Sequence, residues 1–278
     1  MNGLLNAGRY LMHHPIARRQ LTRTIWRIVR WQYLSRTRPV VPVEWIESAK
    51  LSVSRGDKGA TGNLYFGLHE FAPMAFAVHV LRPGDLFIDG GANIGSYTLL
   101  ASVIAGAQTA AFEPDPATAR HLAEHVRING IESLTTLYEA ALGDRSDTVS
   151  FTSGFATMNR VEEGGAQAIS MIPLDSLELA PSLIKLDLEG GERVALNGAG
   201  KTLEHPNLLA VICEDNAPAT AQMFAEYGFN RFRYAPFRRL LEPEPRALWE
   251  NGIFIRDIDA VRTRVDSAAK VSVYDELV

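Results

Sequence analysis

The strongest constraint on how this chain folds is a glycine-rich turn that follows a short apolar run. Residues 86–88 read Leu-Phe-Ile, the next seven read Asp-Gly-Gly-Ala-Asn-Ile-Gly, and a helix-like stretch covers 96–105. Gly91 and Gly95 have no Cβ, so the backbone can bend sharply there and approach a ligand closely. Asp89 comes at the carboxyl end of the predicted strand, the edge where open α/β sheets bind ligands. The pattern predicts a strand, a turn and a helix around a pocket.

Predicted strands and helices alternate along the chain, which is typical of a parallel sheet with right-handed crossovers. The predicted strands cover 86–89, 109–113, 134–139, 148–152, 168–172, 183–187, 208–214, 229–233 and 252–255, and helices are predicted at 95–105 and 116–128. Residues 50–68 predict a short hairpin with glycine turns, and 231–246 an antiparallel hairpin at the sheet edge. A length of 278 residues fits one such domain. We place it at 51–278, after an extension over 1–50.

The overall composition is that of an ordinary globular protein. The chain has 28 Lys and Arg against 32 Asp and Glu, a formal net charge of −4, which gives no general reason to expect a nucleic-acid partner. Its one cysteine, Cys213, excludes intramolecular disulfides and fits a reducing compartment. No 18-residue apolar stretch and no secretory leader pattern occurs. We therefore expect a cytoplasmic protein and leave its oligomeric state open.

The first 40 residues differ from the rest because they carry eight arginines and no acid: Arg9, Arg18, Arg19, Arg23, Arg27, Arg30, Arg36 and Arg38. Apolar residues recur among them at roughly helical spacing, namely Leu21, Ile25, Trp26, Ile28, Val29 and Tyr33. This predicts one or two basic amphipathic helices. Such a helix either contacts an anionic membrane surface or polymer, or packs its apolar stripe on the domain with its arginines solvated. The second arrangement is the commoner one for amphipathic helices.

The turn lacks the signatures of nucleotide phosphate sites. A dinucleotide site needs Gly-x-Gly-x-x-Gly and a P-loop needs Gly-Lys-Ser/Thr, and neither occurs. Glu113 instead ends the next predicted strand, 24 positions after Asp89 and directly before the helix start Asp115-Pro116. An acid there can accept hydrogen bonds from both ribose hydroxyls of an adenosine. S-adenosylmethionine has a ribose but no pyrophosphate, so it is the predicted cofactor, the alternative being a glycine turn with no ligand.

Further cofactor-binding residues follow from their positions around this turn. Gly91 and Gly95 supply the close backbone approach. Asp89 is expected to accept a hydrogen bond from the cofactor amino group, directly or through water, and Asn93 to hold the turn or contact the methionyl end. Ala141 lies in the small segment Glu139-Ala140-Ala141 after the third strand, where adenine should fit.

Five ordered blocks then resemble a known family: "DLFIDGGANIGSYTLLAS", "AFEPDPATARHLAEHVRING", "EAALGDRSDTVSF", "IPLDSL" and "IKLDLEGGERVALNGA". Over about residues 64–215 they resemble the FkbM family of S-adenosylmethionine-dependent methyltransferases. The resemblance implies a class I methyltransferase fold with a Rossmann-like, seven-stranded, mostly parallel sheet and helices on both faces. It also implies O-methylation, commonly of a sugar hydroxyl. Glu70, in "GLHEFAPMAF", matches an acid common upstream of the turn in relatives, and is expected to help close the pocket over the methionyl end.

Two acids after the fourth core strand are the predicted catalytic residues. Asp187 and Glu189 precede Gly190-Gly191 and should lie beside the reacting methyl group. Either could remove the proton of an acceptor hydroxyl, or the two could hold a divalent cation, although two carboxylates alone do not support a metal site. The alternative is structural, with Asp187 capping the next helix and Glu189 pairing with an arginine. His121 and His125, at i and i+4, do not predict a metal pair.

The sequence thus predicts an O-methyltransferase that uses S-adenosylmethionine and acts on a hydroxyl of a sugar-containing acceptor. Four polar residues of one loop could face that acceptor, namely Thr152, Ser153, Thr157 and Asn159. One alternative is methylation of a lipid-linked or small-molecule hydroxyl or amine. Another is a non-catalytic module that keeps the cofactor fold for interaction with a partner.

Overall fold

The computed structural model describes residues 11–151, 167–246 and 251–278. Its α-helices are α1 Pro15–Arg19, α2 Leu21–Thr37, α3 Lys58–Phe66, α4 Phe71–Val80, α5 Ser96–Leu99, α6 Pro116–Asn129, α7 Glu192–Asn197, α8 Gly200–Glu204, α9 Pro218–Glu226 and α10 Ile258–Ser267. A π-helical turn, Leu100–Ile104, continues α5, and 3-10 turns cover Leu174–Leu177 and Pro236–Arg238. The four polar loop residues predicted to face the acceptor lie outside the described residues.

The strands are β1 Val40–Glu44, β2 Lys50–Ser54, β3 Leu86–Gly90, β4 Gln108–Phe112, β5 Thr135–Tyr138, β6 Ala140–Leu142, β7 Asp147–Phe151, β8 Gln167–Ile172, β9 Leu183–Leu186, β10 Ala210–Cys213, β11 Asn230–Ala235, β12 Leu240–Pro243, β13 Gly252–Ile255, β14 Ser272–Val273 and β15 Glu276–Leu277. Eight of them form the main sheet in the order β12-β11-β13-β10-β9-β3-β4-β5. Strands β5, β4, β3, β9 and β10 are parallel, and β13 runs antiparallel to β10. This confirms the predicted fold class.

The sheet has one strand more than predicted. The eighth is β12, which pairs antiparallel with β11 at the sheet edge, from Phe232 opposite Pro243 to Ala235 opposite Leu240. This is the hairpin predicted for 231–246, and it lengthens the sheet beyond the seven strands that the family resemblance implied. A separate three-stranded sheet, β6-β8-β7, follows the third core strand.

The order in which the chain adds strands to the sheet reverses at the central strand β3. The chain passes from β3 to β4 and β5 on one side and later returns to β9 on the other side of β3. In open α/β sheets, the crevice outside the carboxyl ends of the strands at such a point binds ligands. Phe87 and Ile88 of β3 are fully buried, so the strand is a rigid base for the glycine turn that follows it.

The hairpin prediction for 50–68 is only partly right. The hairpin is β1–β2, with Val41 opposite Val53, and it covers 40–54. Residues Lys58–Phe66 form α3 instead, because Ala60 and Leu64 are spaced four apart and are buried on one helix face. The proposed domain boundary at residue 50 stays a prediction, and the hairpin crosses it.

The N-terminal segment forms the two predicted helices, α1 and α2, but their packing differs from the commoner arrangement. Ile16 and Trp31 are buried in the main core cluster, whereas the predicted stripe points outward, with Trp26 60% and Val29 61% exposed. The interpretation in which this stripe packs on the domain is therefore wrong. The reason is that the opposite face of α2 makes the contacts with α3. Among the described helices, none is long and apolar enough to cross a membrane.

Candidate active site

A cavity of about 710 Å³ opens at the carboxyl ends of β3, β4 and β9. Its wall comes from the glycine turn, the segment after β4, strand β6, the loop after β9 and the end of β10, with part of α3 and the start of α4 opposite them. This volume lies within the usual range for small-molecule sites, about 300–1,000 Å³. The cavity therefore has the size and the position in the fold expected of a cofactor pocket.

The glycine turn needs its glycines because of their backbone conformation. Gly91 has φ +71°, and a Cβ there would overlap the carbonyl oxygen of Asp187, directly after the neighbouring strand β9. The N–H groups of Gly91 and Ala92 both donate to the carbonyl oxygen of Phe112, at 3.0 and 2.9 Å, so the turn is joined to the end of β4. Gly95 has φ +94° and packs against Leu122 behind the turn, outside the cavity wall.

Glu113 holds two backbone segments together at the cavity wall. Its Oε2 accepts a hydrogen bond of 2.9 Å from the N–H of Asn93, and its Oε1 accepts one of 2.9 Å from the N–H of Asp115. Burial raises the pKa of Glu113 to about 7, although these hydrogen bonds oppose the shift. A carboxylate has about four lone-pair sites, so two remain for hydroxyl donors in the pocket. Asn93 itself has φ 51° and accepts a hydrogen bond from Ile94.

Asp89 is fully buried beneath the turn and does not line the cavity. Its Oδ2 accepts a 2.7 Å hydrogen bond from Thr98, and its Oδ1 lies 3.7 Å from the ammonium of Lys185. Lys185 donates to the carbonyl oxygen of Gly91 at 3.1 Å. Burial disfavours the charge on Lys185, but Asp187 and Asp89 outweigh this and raise its pKa. This geometry supports a structural role for Asp89, with Lys185 as the link between the turn and the carboxylates.

Glu70 lies across the cavity, at the start of α4. Its Oε2 accepts a 2.7 Å hydrogen bond from the hydroxyl of Tyr97, and its Oε1 accepts one of 3.1 Å from the side chain of Asn251. Tyr97 follows the glycine turn, so this contact joins the segment before the core fold to the turn itself. Its place in the cavity wall is consistent with the predicted closing of the pocket.

Three carboxylates meet at the other end of the cavity: Asp187, Glu189 and Glu214. Oδ2 of Asp187 lies 3.2 Å from the ammonium of Lys185. Asp187 and Glu214 both line this end of the cavity, close enough for their carboxyl groups to interact. Partial burial and the negative charge of Asp187 raise the pKa of Glu214 to about 8. A carboxyl group with a pKa raised in this way can give or accept a proton near neutral pH.

The structural alternative for Asp187 does not match its contacts. Glu192, rather than Asp187, accepts hydrogen bonds from the backbone of this loop, at 2.7 Å from the N–H of Leu188. Helix α7 has Gly191 at its N-cap and no side-chain cap. Asp187 instead faces Lys185 and the cavity, with its side chain 29% exposed. It is therefore available to a ligand.

Most of the predicted site residues meet in one place. Those that line the cavity are Glu70, Gly91, Asn93, Glu113, Ala141, Asp187 and Glu189, whereas Asp89 and Gly95 support it from behind. Their roles toward a ligand remain predictions. Sequence reasoning missed Glu214 and the role of Lys185. Glu214 ends the predicted strand 208–214, at the same sheet edge as the predicted acids, and that position was a usable signal.

The two histidines on α6 have a structural role. Nδ1 of His125 donates to the carbonyl oxygen of Ile94 at 2.6 Å, and its Nε2 accepts a 2.9 Å hydrogen bond from the N–H of Ser52. Nε2 of His121 donates to the carbonyl oxygen of Ser52 at 2.7 Å. These bonds attach the β1–β2 hairpin to the glycine turn. Within the described ranges, no group of three or more His, Cys, Asp or Glu is arranged to hold a metal ion.

Comparison with known proteins assigns the family. The profile described as the methyltransferase FkbM domain matches residues 89–239, more than half of the chain, from Asp89 of the glycine turn to the β11–β12 hairpin. The chain belongs to the FkbM methyltransferase family. The match includes the turn, Glu113, and the three carboxylates Asp187, Glu189 and Glu214. A search of curated proteins found no match.

Several solved structures are similar to this FkbM-family chain in fold. The FkbM methyltransferase from Methylobacillus flagellatus KT is 16% identical, with a TM-score of 0.44 over 84% of this chain and 60% of its own. An S-adenosylmethionine-dependent O-methyltransferase from Thermotoga maritima is 15% identical, with a TM-score of 0.37 over 66% and 61%. An RNA methyltransferase from Salinibacter ruber, in complex with S-adenosyl-L-homocysteine, is 12% identical, with a TM-score of 0.36 over 66% and 85%. The chain thus spans about 60% of the length of the first relative.

Proposed function

We propose that this protein is an S-adenosylmethionine-dependent O-methyltransferase that acts on a hydroxyl of a sugar-containing acceptor. The observation that carries the proposal is the single cavity in which Gly91, Glu113 and the Asp187–Glu214 pair meet, in a chain of the FkbM methyltransferase family. A cytoplasmic location is part of the proposal and is supported by the single, buried Cys213.

The residues in the cavity fit the proposed cofactor. Glu113 would accept hydrogen bonds from the ribose hydroxyls with the lone pairs that Asn93 and Asp115 leave available. Gly91 has no side chain and lines the cavity with its backbone, which allows a close approach to a ligand. Ala141 offers a small apolar surface of the kind that an adenine ring needs. When bound, S-adenosylmethionine supplies an electrophilic methyl group on a sulfonium.

The task left to this chain is to position an acceptor hydroxyl and take its proton. Glu214, when it is ionised, is a stronger proton acceptor than an ordinary carboxylate, because its pKa is raised to about 8. Asp187 keeps its orientation through Lys185, which lies 3.2 Å away. We therefore propose that the proton of the acceptor hydroxyl moves to a carboxylate oxygen of Glu214, while Asp187 orients that hydroxyl. Glu189, beside them, would accept a hydrogen bond from another hydroxyl.

A sugar suits this end of the cavity because its hydroxyls donate hydrogen bonds to carboxylates. The crowding of Asp187, Glu189 and Glu214 would repel an anionic acceptor. The ammonium of Lys185 already provides the positive charge beside Asp187, which gives no support to a divalent cation there. The alternatives of a lipid-linked or small-molecule hydroxyl or amine are distinguished by where the methyl group is found.

The proposal is tested in two steps. Isothermal titration calorimetry with S-adenosylmethionine and S-adenosylhomocysteine should show binding to the full chain, and Glu113→Ala should weaken it. The protein is then incubated with S-adenosylmethionine carrying an isotopically labelled methyl group and a glycan and glycolipid extract. Mass spectrometry after acid hydrolysis should find the label as a methyl ether on a monosaccharide.

The control for the second step is Asp187→Asn, which should keep the cofactor affinity and lose the labelled product. Absence of cofactor binding would overturn the assignment and favour the non-catalytic module. Label on an amine, or on a lipid hydroxyl without sugar, would replace the sugar acceptor and keep the cofactor assignment.

A further inference from the structure

Helix α2 has a fixed orientation on the domain. Arg27 donates a 3.0 Å hydrogen bond to the carbonyl oxygen of Tyr65 in α3, and its guanidinium stacks on the ring of Tyr274, 3.9 Å from the centroid. Trp31 is 6% exposed on the same face. Arg19, at the end of α1, pairs with Glu276 at 2.8 Å. One face of α2 therefore packs on the domain, and the opposite face is exposed to solvent.

The outward face is apolar. Leu21, Ile25, Val29 and Tyr33 follow each other at four-residue intervals and form a continuous row, with Trp26 beside it. These five residues, the exposed apolar ridge, are between 38% and 67% exposed. Among the described residues, seven of the nine exposed large apolar side chains lie between Met12 and Val40. Exposed apolar surface concentrated in this way marks an interaction site rather than ordinary scatter.

Positive charge surrounds the ridge. Arg18 precedes it along the chain, Arg30 lies beside it with its guanidinium 5.5 Å from the ring centre of Trp26, and Arg36 and Arg38 follow it. All four are exposed, and none of them forms an ion pair with another described residue. Residues 1–40 contain no acid. The face thus combines apolar side chains with cations that have no acidic neighbour of their own.

We infer that the exposed apolar ridge binds the protein to an anionic lipid surface. Apolar side chains would enter the boundary between headgroups and acyl chains, Trp26 and Tyr33 would lie at that boundary, and the arginines would contact headgroup phosphates. A second copy of this chain fits less well, because two such faces would bring their arginines together. A nucleic acid would use the charge but leave the apolar ridge in water. This inference does not depend on the proposed methyl transfer.

The test is flotation of the full chain with vesicles of phosphatidylcholine and phosphatidylglycerol, and with vesicles of phosphatidylcholine alone. The protein should float with the first and much less with the second, and added salt should weaken binding. The combined Arg18→Gln, Arg30→Gln and Arg36→Gln substitutions should lower the affinity about fivefold per arginine. The combined Ile25→Ser, Trp26→Ser and Val29→Ser substitutions should lower it about tenfold or more.

The control removes the same three charges elsewhere, at the exposed Arg120, Arg145 and Arg262, each replaced by Gln. It should bind like the unmodified protein. Thermal midpoints of all variants verify that they fold. The proposal is overturned if the unmodified protein does not float with the anionic vesicles, or if the ridge variants bind as well as the control. Sedimentation analysis showing a dimer that the Ile25, Trp26 and Val29 substitutions dissociate would assign the ridge to a second copy instead.

Discussion

The ammonium of Lys185 lies 3.2 Å from a carboxylate oxygen of Asp187 and, on its other side, 3.7 Å from Asp89. The lysine side chain is 5% exposed and that of Asp89 is fully buried. Lys185 also donates to the carbonyl oxygen of Gly91 at 3.1 Å. One buried cation therefore joins the glycine turn to a carboxylate in the cavity wall.

Replacing this cation should destabilise the protein. Lys185→Met removes the positive charge beside the buried Asp89, and breaking a buried ion pair in this way costs about 3–5 kcal/mol. Urea denaturation should show a lower midpoint, with Lys201→Met, an exposed lysine on α8, as the control. Equal midpoints for the two variants would mean that the charge network is not part of the folded state in solution.

Glu113 should contribute directly to cofactor affinity. Hydrogen bonds to a charged group contribute about 1.5–3 kcal/mol, so Glu113→Ala should weaken S-adenosylhomocysteine binding by about tenfold to a hundredfold. Calorimetric titration measures the change. Glu124→Ala, an exposed acid on α6, is the matched control and should bind normally. An unchanged dissociation constant for Glu113→Ala would show that Glu113 does not bind the ribose of the cofactor.

The Glu214 carboxyl group should titrate above the usual range for carboxyl groups. Partial burial and the charge of Asp187 raise the pKa of Glu214 to about 8. Glu214 is therefore ionised, and able to accept the proton of the acceptor hydroxyl, mainly near or above that pH. The methyl-transfer rate should therefore rise as the pH increases to about 8. In the ligand-free protein, carbon-13 NMR of labelled glutamate should show this titration, and Glu214→Gln should abolish it.

Glu226→Gln, an exposed acid on α9, is the control for that measurement. Asp187→Asn should remove turnover and keep the fold. A Glu214 signal that titrates in the ordinary carboxylate range, or a Glu214→Gln variant with full activity, would assign the proton transfer to another group.

The parts of the site that depend on local sequence were predictable. The glycine turn and Glu113 come at the ends of consecutive strands, and strands that follow each other in the chain lie next to each other here, β3 beside β4. Asp115-Pro116 was predicted as a helix start, and the Asp115 side chain caps that helix by accepting a 2.9 Å hydrogen bond from the N–H of Thr118. Short-range rules of this kind need no knowledge of tertiary packing.

The parts that were missed depend on contacts between distant segments. Lys185 acts through Gly91 and Asp89, almost a hundred positions away, and no periodicity within β9 shows that its side chain turns inward to them. The sequence of α2 contains two faces that could be buried. The face that is buried contains Trp31 and Arg27, whose guanidinium contacts Tyr65 and Tyr274. These two tyrosines lie outside the helix, so the sequence of α2 alone does not show which face is buried.

Acid should destabilise the fold through buried histidines. Burial lowers the pKa of His14 to about 4 and that of His79 to about 3. In the unfolded chain both titrate near 6.5, so below that pH the unfolded state binds protons that the folded state does not, and stability falls. Between pH 6.5 and about 5 the loss is about 1.5 kcal/mol for each histidine. Thermal midpoints measured across this range should fall.

The slope of the thermal midpoint against pH shows whether His14 contributes to this acid destabilisation. His14→Gln should reduce it, whereas His13→Gln, an exposed neighbour, should leave it unchanged. Identical slopes for both variants would show that His14 is not buried in its neutral form.

The two tryptophans of α2 provide the sharpest test of which helix face packs on the domain. Trp31 is 6% exposed within the main core cluster, and Trp26 is 60% exposed on the opposite face. Trp31→Ala should therefore cost about 3–5 kcal/mol of unfolding free energy through lost burial and a cavity. Trp26→Ala, the same substitution five residues earlier, should change it by no more than about 0.5 kcal/mol. Denaturant unfolding measures both, and a larger loss for Trp26→Ala would mean that the helix is rotated from the orientation described above.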